Sequence, residues 1–250
     1  IDTLDKVEQN RKECYIREFS IEHFHDSKVF ETLIPKICKI FREENEELTG
    51  FENEEILAEY QIYKTPGYVY MKGNVQIYSA GKQAADISAF PEGIAVAVGS
   101  EEDVPDICPD QTIDKVFTIE NLTSFYRFKQ EHSLVIYLGG YHNHSRRNLL
   151  MQIYQKLPDA QYYHFGDLDA GGFYILEHLK RKTGIPFQMF QMDIETLKKY
   201  EDYAKPLTEN DKKRLMQLEK MELPDEERKL ITYMLQKGIK LEQECISKSR

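Results

Sequence analysis

In the first hundred residues apolar positions recur mainly at helical spacing, and beyond them short apolar runs alternate with amphipathic stretches. Residues 4–15 are polar and predicted helical, and residues 16–21 read as extended. Asp26-Ser27 has the character of a helix N-cap. Behind it Val29, Phe30, Leu33, Ile34, Ile37, Ile40 and Phe41 form an apolar stripe, with Lys36, Lys39, Arg42 and Glu43 opposite. Pro35 within the stripe predicts a kink or a break, Gly50 a stop, and residues 54–60 a short helix. Residues 68–71 and 75–78, joined by Lys72-Gly73-Asn74, predict a β-hairpin. Helices and hairpin together have the size of a winged-helix module. Residues 100–110, rich in Glu, Asp, Pro and Ser, are the expected linker. The expected division is therefore a smaller α+β module over 1–105, an α/β domain over 106–205 and a helical extension over 206–250.

The second half alternates regularly. Strands are predicted over 115–119, 134–138 and 162–165, with a fourth over 187–192 and helices around 122–126, 146–156 and 173–182. Gly184 and Pro186 stop the last of these helices. Strands alternating with helices of this length imply a parallel sheet with helices on both faces. The tail beyond residue 206 reads as two charged helices separated near Leu223-Pro224.

One stretch stands out: Tyr162-Tyr163-His164-Phe165-Gly166-Asp167-Leu168-Asp169-Ala170-Gly171-Gly172. Its aromatic run is a buried strand, and the glycines allow a tight turn into the next helix. Asp167 and Asp169 stand where the strand ends, with no lysine or arginine between them. They either cap the following helix or hold a hard divalent cation. If the sheet is parallel, Glu120, Gly139-Gly140 and the aspartate pair share one edge, at the strand carboxyl ends where such sheets bind ligands. An all-oxygen set suits Mg2+, with Mn2+ as a substitute, better than zinc. Such a site can orient a phosphodiester and stabilise a leaving oxygen.

Composition adjusts this picture. With 250 residues, 41% of them hydrophobic, the chain can bury a real core. No run approaches the ~20 apolar residues of a membrane span. The first residue is Ile1, which reads as a fragment or processed product without a signal peptide. Cys14, Cys38, Cys108 and Cys245 form no Cys-x-x-Cys pair, so reduced thiols and a cytoplasmic setting are expected. The formal charge of −10 weighs against a nucleic-acid partner, although Arg146-Arg147 and Lys180-Arg181-Lys182 cluster within the acid-bearing half.

Glu120 at a strand end, then Gly139-Gly140, then Gly-Asp-Leu-Asp-Ala-Gly-Gly, together resemble a Toprim domain, the metal-binding module of topoisomerases, bacterial primases and some nucleases. The closer similarity is to the JetD family of the Wadjet plasmid-defence systems, itself related to the topoisomerase VI A subunit. It rests also on Thr118-Ile119-Glu120-Asn121 before Phe125, on Gly139-Gly140-Tyr141 and on residues 192–197, and more weakly on residues 15–18 and 26–31. This resemblance spans about residues 15 to 200. It implies a Toprim fold, Rossmann-like, preceded by the winged-helix-like module. It also implies metal-dependent DNA cleavage with Glu120, Asp167 and Asp169 as metal-binding and catalytic acids, Glu120 shuttling a proton. The implied partners are double-stranded DNA and an SMC-type ATPase complex, with a homodimer left open and no membrane. No segment matches the catalytic-tyrosine motif of topoisomerase VI, and beside the family this resemblance implies, a truncated N-terminal region is expected here.

Weaker candidates stand beside plainer readings. Asp193 is either an outer-shell group or an acid at a helix start. Gly139, Gly140, His142, Arg146, Arg147 and Lys28 are candidate substrate contacts; the plainer alternatives are loop residues and solvated helical faces. Glu242-Gln243-Glu244 reads as part of a solvated helix. Two further functional classes remain: a non-catalytic DNA-binding or assembly subunit with a structural ion, and an enzyme acting on a small phosphate ester.

Overall fold

Residues of each central strand are divided alternately between two cores. Val116, Leu134, Ile136 and Tyr162 face one, and Phe117, Ile119, Val135 and Phe165 the other. Strands buried on both faces read as near-continuous apolar runs, which is why they were legible. The computed structural model describes residues 2–45, 48, 51–64, 67–98, 105–139 and 144–247.

The chain opens with α1 (Asp2–Glu8), β1 (Cys14–Tyr15), α2 (Ile16–Phe24), α3 (Val29–Glu44), α4 (Asn53–Glu59) and β2 (Ile62–Tyr63). Strands β3 (Gly67–Lys72), β4 (Val75–Ser79), β5 (Lys82–Asp86), β6 (Ile94–Val98) and β7 (Asp106–Pro109) follow. The acid-bearing half comprises β8 (Lys115–Ile119), α5 (Leu122–Arg127), β9 (Ser133–Tyr137), α6 (His144–Lys156), β10 (Gln161–Phe165), α7 (Ala170–Thr183) and β11 (Gln188–Met189). Beyond it lie α8 (Ile194–Lys199), β12 (Lys205–Pro206), α9 (Glu209–Leu218), α10 (Asp225–Lys237), β13 (Ile239–Lys240) and α11 (Gln243–Ser247). Among the described residues no helix is long and apolar enough to cross a membrane.

The main sheet has the order β11-β10-β8-β9-β3-β6. Strands β11, β10, β8 and β9 run parallel, while β3 pairs antiparallel with β9 and with β6. Helices cover both faces: α6 and α7 pack Leu150, Ile153 and Leu176 on one, and α5, α9 and α10 pack Phe125, Leu215 and Ile231 on the other. The expected α/β sheet is therefore present, extended by two antiparallel strands from the first half.

The first half departs from expectation in several places: the first helix ends at Glu8, Cys14–Tyr15 is a strand, and residues 106–109 of the expected linker form β7. Residues 16–21 belong to helix α2: Ile16, Phe19 and Ser20 are buried at helical spacing, and the Glu18 carboxylate accepts from Tyr15 N at 2.8 Å. Helix α3 runs unbroken through Pro35, which lies on its exposed face. The strands of the expected hairpin exist but do not pair with each other. Both edges of β3 are taken by β6 and β9, whereas β4 pairs with β5 and β7. The tight turn is instead Ala80-Gly81, both at positive φ, between β4 and β5. Gly73 serves the close approach of β3 to β9: a Cβ there would meet Ser133 O at 2.6 Å. Residues on either side of position 105 thus share hydrogen-bonded sheets. The fourth parallel strand is only two residues long, and the tail carries α11 in addition to the two expected helices.

A buried ion pair joins the first half to the second. Arg147 on α6 bonds Glu59 of α4 at 2.7 Å with both side chains largely buried, and Lys182 lies 3.8 Å from the other Glu59 oxygen. Glu59→Gln should destabilise the protein by about 2–3 kcal/mol, because a buried guanidinium loses its counter-charge. Denaturant unfolding checks this, and adding Arg147→Met should restore part of the loss.

Candidate active site

The connections from β8 to β9 and from β10 to β11 leave in opposite directions, so the crevice between β8 and β10 is the switch point of the parallel sheet. Register makes Ile119 and Phe165 partners, and Glu120 N donates to Phe165 O at 3.1 Å. Glu120 therefore emerges beside Gly166. A Cβ at Gly166 would meet Glu120 Oε2 at 2.3 Å and His164 Nε2 at 2.9 Å, so a side chain there would displace this carboxylate. On the other side Leu138 N donates to Ile119 O, and the chain turns at Gly139 with φ 69°.

Asp167 and Asp169 follow within three residues. Asp167 N donates to Glu120 Oε2 at 3.3 Å, and Asp167 Oδ1 accepts from Gln243 N at 2.7 Å. Asp169 caps α7, its Oδ1 accepting from Gly172 N at 2.9 Å. The cap and the acid cluster, alternatives at the level of sequence, coexist in one residue. Gly172 is required as well, because a Cβ there would lie 2.2 Å from Asp167 O.

The electrostatics are those of uncompensated acids. Burial pushes Glu120 up to about 8, helped by Asp169 and Glu244 and opposed by the Asp167 N–H. Asp167 is pushed up to about 7 by burial and by Glu120, against the Gln243 N–H. Among the described residues no lysine or arginine pairs with Glu120, Asp167 or Asp169, and the Glu120 side chain retains 14% of its surface. The second oxygen of each aspartate accepts no protein hydrogen bond among these residues. His164 lies directly before this loop, fully buried, with Nδ1 3.0 Å from Thr118 Oγ1 and Nε2 3.8 Å from Glu120 Oε2. Burial pushes it down to about 3, so it is neutral, and Nε2 has no hydrogen-bond partner among the described residues. Hard oxygen donors with vacant lone pairs and an excess of negative charge have the chemistry of a cation site. Among the described residues, however, no three His, Cys, Asp or Glu groups are arranged to hold a metal ion as they stand.

A family model described as "Wadjet protein JetD, C-terminal" matches residues 102–249, more than half of the chain. The chain belongs to the JetD family. A curated relative, Wadjet protein JetD of Bacillus cereus (strain Q1), is 29% identical over 251 residues, which cover 98% of this chain. The chain spans 60% of that relative's length.

The remaining candidates are scattered by the structure of this JetD-family chain. Asp193 is exposed and caps α8, accepting from Thr196 N at 2.7 Å. Arg147 is engaged with Glu59. Arg146 is half-buried and donates to Leu138 O at 2.6 Å, on the acid edge. Lys28 is exposed at the start of α3. Gly140 and His142 lie outside the described residues. The C-terminal segment departs from the solvated helix expected for Glu242-Gln243-Glu244. Gln243 is fully buried and Glu244 accepts from Asn121 Nδ2 at 2.6 Å, so neither belongs to a merely solvated helix. Nothing local in a charged tail signals that contact. The signal for His164 was available: a polar residue inside an apolar strand, next to the acids.

Two outcomes follow from these contacts. Gly172→Ala must displace backbone, so a stability loss above about 2 kcal/mol is expected in thermal unfolding. Glu120 and Asp167 bind protons more tightly folded than unfolded, their ordinary values being 4.5 and 3.8. Their contribution is complete below those values and is lost as pH rises through about 7 to 8. In EDTA the melting temperature should therefore fall between pH 5 and pH 9, and Glu120→Gln should flatten the slope.

Proposed function

We propose that this chain carries the nuclease centre of a Wadjet-type plasmid-defence complex, a Mg2+-dependent hydrolase of DNA phosphodiesters at a Toprim-type site. The observation that carries the reading is the convergence of Glu120, Asp167 and Asp169 at the switch-point crevice without a cationic partner among the described residues. Membership of the JetD family supports it. The cation would be held by Glu120, Asp167 and Asp169, whose free oxygens are of the hard type that Mg2+ or Mn2+ selects. Bound there, it would supply Lewis acidity toward a phosphodiester and offset charge on the leaving oxygen.

The chain's own residues do the rest. Glu120, with its carboxyl at about 8, can hold or release a proton near neutral pH. Neutral His164 beneath it adds no positive charge that would oppose a cation. The acid edge repels a phosphate backbone, so productive binding of double-stranded DNA requires the cation together with basic surfaces supplied by partners. An SMC-type ATPase assembly is the partner this reading calls for, and the 106–205 segment is its Toprim module.

A second reading, a non-catalytic assembly subunit, draws on the structural use of the same acids: Asp169 caps α7 and Asp167 anchors Gln243. Plasmid cleavage by the reconstituted complex with Mg2+ separates the two. The nuclease reading expects Glu120→Ala to assemble normally and to lose about 10²- to 10⁴-fold in cleavage rate. Wild-type cutting by that variant would leave only the assembly role.

A further inference from the structure

We infer that Gln243 is a positioning residue that orients Asp167 against the Glu120 strand end, and so sets the affinity of the site for a divalent cation; this rests on the metal-dependent reading above. Gln243 is fully buried, and three of its polar atoms act on three parts of the site. Its Nε2 donates to Phe165 O at 2.8 Å, the end of β10. Its Oε1 accepts from Asn121 N at 2.9 Å, one residue beyond Glu120. Its main-chain N donates to Asp167 Oδ1 at 2.7 Å. One side-chain amide thus spans the mouths of β8 and β10 while the same residue orients an acid.

The direct link between the acids is weaker than these bonds. Asp167 N lies 3.3 Å from Glu120 Oε2, at the long limit for an N–H···O bond. The strand ends themselves are joined by Glu120 N and Phe165 O at 3.1 Å, and beyond that last rung Gln243 is the clamp that ties Asn121 and Asp167 together. The neighbouring chain holds Gln243 in place: Leu168 and Leu241 exchange backbone hydrogen bonds at 2.9 and 3.1 Å between the two aspartates and α11. Groups that orient metal ligands without touching the metal typically change affinity by about 10- to 100-fold when removed.

The test measures Mn2+ binding to the full chain by the loss of the free-ion electron paramagnetic resonance signal, alongside melting temperature in EDTA. Gln243→Met keeps the volume of the side chain but can make neither amide bond. Leu215→Ala truncates the same core that holds Ile119 and Phe165 but removes no group that hydrogen-bonds Gln243 or an acid, and lowers stability. Wild type is expected to bind Mn2+, Glu120→Ala to lose binding, Gln243→Met to bind about 10- to 100-fold more weakly, and Leu215→Ala to bind as wild type does. Should Gln243→Met not fold, Gln243→Asn, one methylene shorter with both amide ends retained, is expected to weaken binding in the same sense. Wild-type affinity in the folded Gln243 variant, with binding lost in Glu120→Ala, overturns the inference while leaving the metal reading intact. Equal loss of affinity in Leu215→Ala reduces the role of Gln243 to general stability and also overturns it. Identical binding by wild type and Glu120→Ala removes the metal reading, and the inference with it.

Discussion

The acid edge depends on the register between two parallel strands. Pairing of Ile119 with Phe165 puts Glu120 beside the one residue, Gly166, that has no side chain to collide with it. A shift of one position along β10 would turn every side chain of that strand to the opposite core and bring a bulky residue against the carboxylate. The aromatic contacts of the second core resist that slip: Phe117 stacks on Tyr163 at 5.1 Å and meets Phe190 edge-on at 5.0 Å. Packing far from the crevice thus sets the geometry inside it.

Holding carboxylates together costs free energy, and the fold offsets it with backbone rather than with cations. Main-chain N–H groups of Asp167, Gln243 and Gly172 each point at one of the three acids. Cationic side chains are spent elsewhere, with Arg147 on Glu59 and Lys180 between Glu177 and Glu227. That partition leaves the edge electrostatically hungry, a state that functional sites commonly keep at the expense of stability.

The parallel strands and their helices were legible because burial on both faces leaves a continuous apolar signature, and Asp167 and Asp169 were legible because strand, acids and glycines are adjacent in sequence. The partners of β3 were not. A hairpin signal is local, whereas the choice between β4 and β9 is decided by which sheet can bury Val69 and Met71, both fully buried in the structure. Helix α2 was misread because a short apolar run has no unique period until its burial partners are known. Gln243 and Glu244 were misread for the same kind of reason: their roles exist only through residues 76 to 123 positions away.

That separation bears on how the molecule comes into being. Synthesis is vectorial, and contacts this distant in sequence are among the last that a chain can close. Strands β8 and β10 can pair, and Glu120 can meet Asp167, while residues 239–244 have yet to emerge. At that stage Asn121 N and Asp167 Oδ1 still lack the partners that order them. Completion of the site is thus timed to the arrival of its most remote segment, so a half-made chain does not yet carry the finished acid cluster.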